Sequence, residues 1–157
     1  MKHELSKMLE NASKLCEDEN YTHALKYYKN ILRIESDNVV AIIDYGVTLQ
    51  NLGRHRQALE MYDRALTINP KNLDALINKG SVLHTLQKYS EAISCYNIVL
   101  SLDKKNTMAI AYKGLSVGEM GNIPSAIKYF KKALSIDNEY ELAQISLDTA
   151  KRIMKSH

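Results

Sequence analysis

Residues 39–72, VVAIIDYGVTLQNLGRHRQALEMYDRALTINPKN, are written again along the chain at a period of 34. Stepping forward from Ala41, Gly46, Leu49, Ala58, Leu59, Tyr62, Leu66 and Ile68 reaches Ala75, Gly80, Leu83, Ala92, Ile93, Tyr96, Leu100 and Leu102. A further step reaches Ala109, Gly114, Val117, Ala126, Ile127, Phe130, Leu134 and Ile136. One step backward reaches Lys7, Ala12, Leu15, Ala24, Leu25, Tyr28, Leu32 and Ile34, so only the first place loses its character. Four tandem copies result: 5–38, 39–72, 73–106 and 107–140.

Within each copy the apolar residues recur at three and four, the spacing of one helix face, in two runs separated by a short turn. Each copy is therefore expected to be a helical hairpin. The interruptions are Asp18-Glu19-Asn20, Gly53-Arg54-His55, Gln87-Lys88 and Gly121-Asn122-Ile123-Pro124. Gly or Asn there is expected to take the left-handed conformation that closes a helix. Between copies, Ser36-Asp37-Asn38, Asn69-Pro70-Lys71-Asn72, Asp103-Lys104-Lys105-Asn106 and Asp137-Asn138 supply the next stop and N-cap. Gly46, Gly80 and Gly114 sit midway through first helices, where glycine costs roughly 1 kcal/mol relative to alanine. Close crossing by Ala58, Ala92 and Ala126 of the second helices is the expected reason.

The length of the period and the places held in the second copy by Gly46, Leu49, Ala58, Tyr62, Ala65 and Pro70 resemble the tetratricopeptide repeat. Met8, Ile42, Leu76 and Ile110 stand where that family usually has an early Trp, and the closing Pro survives only as Pro70. The resemblance implies an all-α fold, a right-handed α-α superhelix of hairpins forming a single domain over 1–157. After the four copies, Leu142, Ala143, Ile145, Leu147 and Ala150 make one apolar stripe, expected to be a capping helix over 141–155. Its apolar residues Ile145 and Ile153 offer a second use, docking on another chain.

A hydrophobic fraction of 45% over 157 residues suits a folded domain. No run approaches the eighteen or so apolar residues of a membrane span, and the amino end lacks a signal-peptide core, so a cytoplasmic location is expected. Cys16 and Cys95 lie two copies apart, too far for a disulfide, and read as packing residues. The net charge of +3 is mild, and Lys104-Lys105 and Lys131-Lys132 sit among acids without interleaved aromatics, which argues against nucleic acid. His3, His23, His55, His84 and His157 show no metal-pair spacing. No phosphate loop, nucleophile elbow or Cys-x-x-Cys occurs, so neither a cofactor nor an enzyme activity is expected.

Function then rests on surface. The resemblance implies that the first helices line a concave groove, and the places it assigns there include Leu9, Ser13, Ile43, Asp44, Val47, Ile77, Asn78, Ser81, Ala111, Tyr112 and Leu115. The polar residues of the set, among them Glu10, Glu17, Asp44, Asp74, Asn78 and Glu119, include no Lys or Arg from the four copies. The expected partner is another protein, offering a peptide or helix with apolar anchors and basic flanks. The carboxylate clamp of some relatives is absent: its five places hold Leu9, Ser13, Asp44, Asp74 and Asn78 in one register and Ile43, Val47, Asn78, Met108 and Tyr112 in the next. The alternative expectation is a self-assembling scaffold, a homo-oligomer formed through the groove or the last helix.

Overall fold

The computed structural model describes residues 1–157. Nine helices follow one another without a strand: α1 (Lys2–Glu17), α2 (Tyr21–Ile34), α3 (Val39–Asn51), α4 (His55–Ile68), α5 (Leu73–Thr85), α6 (Tyr89–Leu102), α7 (Thr107–Glu119), α8 (Ile123–Ile136) and α9 (Glu141–Lys155). The chain is all-α, and from α2 onward the helix starts keep the period of the sequence.

Local chemistry sets the helix ends. Asn38, Asn72 and Asn106 precede α3, α5 and α7, and their Oδ1 atoms accept the backbone N–H of Ala41 at 3.0 Å, Ala75 at 2.9 Å and Ala109 at 3.0 Å. Each satisfies a donor that the first turn of a helix leaves over. Asn122 caps α8 in the same way through Ser125 N–H, and Pro124 falls in the first turn, where its missing donor costs nothing.

Within the hairpins, the left-handed residue is Gly53 (φ 75°) or Gly121 (φ 92°) in two copies, but Glu19 (φ 58°) and Gln87 (φ 62°) in the others. Asn20 instead stands at φ −89° ahead of α2, which corrects the expectation that Gly or Asn would close every hairpin. The turn geometry decides the place: Asn20 N–H reaches back to Leu15 C=O at 2.7 Å and Lys88 N–H to Leu83 C=O at 2.8 Å. The residue just before each donor must then turn left-handed, whatever its type.

The chain divides into two compact units, Met1–Val82 and Leu83–His157. In the first, α1 pairs with α2, α2 packs on α3, and α3 pairs with α4. Ala12, Ala24, Ile31 and Ala41 are fully buried in one cluster with Leu5 and Tyr28. Burying a large apolar side chain of this kind stabilises by about 1.5–3 kcal/mol. A Cβ added to Gly46 would stand 2.7 Å from Cε1 of Tyr62. The close approach at Gly46 is therefore to an aromatic ring of the second helix and not to Ala58. Lys79, in the first-unit part of α5, sends its ammonium to Asp63 of α4 at 2.6 Å.

In the second unit α6 packs on α7, α7 pairs with α8, and α9 lies against both α8 and α7. Gly114 repeats the close approach, with Phe130 Cε1 2.7 Å from where its Cβ would be. Ala126 meets a different glycine, Gly118, at 3.4 Å. Lys113 lays its Nζ 4.8 Å from the centre of the Tyr129 ring. One face of α9 is buried: Ala143 joins Ile110, Ala111 and Ala133, while Leu147 and Ala150 join Phe130 and Ala126. Where α3 carries Ile42, Gly46 and Leu49 for its hairpin partner, α9 carries Gln144, Asp148 and Lys151, and Gln144 bonds Asp148 at 3.1 Å on that wet face.

Candidate docking cleft

The place held by Cys16, Gln50 and His84 in the first three copies is a polar plug. Cys16 Sγ lies 4.0 Å from Tyr28 Oη and 3.4 Å from Thr48 Oγ1. In the next copy Tyr62 Oη donates to Gln50 Oε1 at 2.9 Å, and Gln50 Nε2 donates to Ser81 Oγ at 3.3 Å. His84 Nδ1 lies 2.9 Å from Ser116 Oγ, with the Tyr89 ring edge-on at 5.2 Å. Each plug carries a side chain of one first helix across to the next first helix. Thr48 and Ser116, which receive two of them, are buried.

In the fourth copy that place is Gly118, and the tyrosine that would meet a plug is Phe130. No side chain fills the gap, and a cleft of about 300 Å³ opens between α7 and α9. Phe130 and Ala126 of α8 form its floor. Leu115 and Gly118 make the α7 wall, and Ile145 and Ile153 the α9 wall. Ile145 is 56% exposed and Ile153 39%, unusual for isoleucines on a folded surface. The polar groups of the lining are Glu119, Ser146 and Thr149. An apolar hollow with a few polar groups at its edge is the usual form of a binding site.

Of the residues singled out from the sequence, Leu115, Glu119, Ile145 and Ile153 line this cleft. Ala111 is fully buried, while Tyr112 is half-buried with its ring edge-on to Tyr96 at 6.0 Å. In the first unit, Ile43 (8% exposed) and Ile77 (7%) are packed inward. Leu9 is half-buried against the cluster around Tyr28, and Ser13 is exposed. Asp44, Val47, Asn78 and Ser81 are half-buried. Burial holds the Asp44 carboxyl above its ordinary 3.8, and the Asp74 carboxylate pushes it further the same way. Val40 and Met108, at the starts of α3 and α7, are exposed. Gly118, Ile123, Phe130 and Thr149 were not singled out. The signal for two of them was in the period, since Gly118 breaks the series Cys16, Gln50, His84, and Phe130 the series Tyr28, Tyr62, Tyr96.

Antiparallel helix pairs of constant length, with the same small and aromatic places in each, define a helical-hairpin repeat protein. The family model described as anaphase-promoting complex, cyclosome, subunit 3 matches residues 17–99, just over half the chain, and the tetratricopeptide repeat model matches residues 113–140. The chain belongs to the tetratricopeptide-repeat family. Among solved structures, that of MamA protein superposes with a TM-score of 0.80 at 21% identity, covering 97% of this chain and 83% of the other. A tetratricopeptide repeat protein of Parabacteroides merdae gives 0.80 at 21% identity over 97% of this chain and 60% of its own. YrrB, described as a tetratricopeptide-repeat protein with an unusual peptide-binding site, gives 0.72 at 20% identity over 94% and 76%. At these identities the likeness establishes the fold, an α-α superhelical repeat. No curated protein matches the sequence.

Proposed function

We propose that this chain is a non-catalytic protein-interaction module whose first helices receive a peptide or helix of another protein, with apolar anchors and basic flanks. The observation that carries the reading is the open apolar cleft between α7 and α9, edged by Glu119. In the first unit burial and the Asp74 carboxylate both disfavour the charge on Asp44, and a partner cation would relieve that strain. Adjacent hairpins hold these surfaces in place before binding, which lowers the ordering cost of a complex. The peptide-binding site described for YrrB accords with this use of the fold. Among the helices, none is long and apolar enough to cross a membrane.

Selection of random peptides displayed on phage against the purified chain tests the proposal. Enriched peptides should combine Leu, Ile or Phe with Lys or Arg, and their binding should weaken as salt rises. A selection that enriches no peptide would overturn it. The exposed Ile145 and Ile153 support a second reading, a self-assembling scaffold, for which the mass in solution should rise with protein concentration.

A further inference from the structure

We infer that the cleft between α7 and α9 is a socket for one bulky apolar side chain of a partner protein, with a Lys or Arg beside it in the partner. The inference rests on the interaction-module reading and adds to it a place and a chemistry. The socket is the seat of a plug that the other copies supply from within. Gln50 and Tyr62 bond each other, and removing either alone would leave a buried polar group unsatisfied. The fourth copy lacks both members at once, as Gly118 and Phe130. What remains is an apolar hollow without an orphaned donor or acceptor, matched to a side chain that brings none.

Size and charge narrow the occupant. An opening of about 300 Å³ over the Phe130 ring accepts a Phe, Leu or Met, and the exposed Ile145 and Ile153 gain cover when it enters. Glu119 is the charged side chain of the lining. A cation next to the anchor meets this carboxylate, whereas an acid is repelled. The basic residues Lys151, Arg152 and Lys155 line a separate shallow depression with Asp148, on the other side of α9.

The test fills the socket. In the variant G118Q/F130Y the pair found at Gln50 and Tyr62 is rebuilt in the fourth copy, and T149F closes the mouth from an exposed position should that variant not fold. Isoleucine methyl spectra of wild type and variant are titrated with the capped tripeptides Lys-Phe-Lys, Lys-Ala-Lys and Glu-Phe-Glu. With Lys-Phe-Lys the Ile145 and Ile153 methyls should shift and saturate, Lys-Ala-Lys should bind at least about tenfold more weakly, and Glu-Phe-Glu should be weaker by several-fold. Filling should abolish the response. Shifts that survive filling, equal binding of the alanine or glutamate peptide, or no shift at millimolar peptide would each overturn the socket. Peptides selected on the whole chain that bind the filled variant equally well would overturn it while leaving the interaction module standing. A wild-type mass that rises with concentration and stays monomeric on filling would overturn it in favour of a second copy of this chain.

Discussion

Cε1 of Tyr62 lies 2.7 Å from where a Cβ on Gly46 would stand, and the ring is fully buried with its hydroxyl held by Gln50. Neither partner can give way cheaply. Gly46→Ala should therefore lower stability by about 1–3 kcal/mol, despite the roughly 1 kcal/mol that alanine gains over glycine in a helix. Urea denaturation of the variant checks this, and an unchanged midpoint would refute the close approach.

Gly118→Ala should have the opposite sign. Its Cβ would meet Ala126 Cβ at 3.4 Å, an ordinary contact, and the rest of its surroundings are the cleft. A gain of up to about 1 kcal/mol is expected from helix propensity. A thermal melt beside that of the Gly46 variant shows the contrast directly.

Asp44→Asn should stabilise the protein at neutral pH. Burial and the Asp74 charge raise the folded-state pKa of Asp44 above 3.8, so the folded chain holds this proton more tightly than the unfolded chain. Stability is then lost as pH rises through that window, and the gain from Asn is full above it and vanishes below about pH 3.8. Thermal midpoints of the two proteins across pH should converge in acid. The same variant should weaken peptides with basic flanks, since the carboxylate that destabilises the free protein is the one a cation relieves.

His84 carries a second pH dependence of opposite sign. Burial lowers its folded-state pKa below 6.5, with Glu119 pulling the other way. Now the unfolded chain binds the proton more readily, so stability is full above about pH 6.5 and declines as pH falls through the folded value. His84→Gln should lose part of that decline, and midpoints from about pH 7.5 to 5 should narrow between the two proteins. A parallel pair of curves would count against it.

The hairpins were legible because their signal is periodic: Ala41, Tyr62 and Ile68 recur in phase, and Asn38, Asn72 and Asn106 mark each restart. Contacts between helices were less so. A small residue at Gly46 announces a close approach but not its partner, and the neighbouring Ala58 was expected where the Tyr62 ring actually lies, four residues further along α4. Turn conformation was half legible, since a left-handed Gly53 can be read from its type and a left-handed Glu19 is imposed by the bond from Asn20 to Leu15. The walls of the cleft are legible in Leu115, Ile145 and Ile153, but the hollow itself is not, because it is made of what Gly118 and Phe130 omit, and an omission is visible only against the other copies.

The two walls of the cleft do not begin alike. Helix α7 starts at Asn106, whose side chain fastens its first turn, whereas α9 starts at Tyr140 with no side-chain cap. An N-cap of this kind holds a helix end by about 0.5–2 kcal/mol, and opening is easiest where it is missing. Amide exchange should therefore be faster in the first turn of α9 than in that of α7. If the cleft takes a side chain as proposed, anchors of different bulk should displace the start of α9 before that of α7, and the Glu119 end of α7 should stay in place.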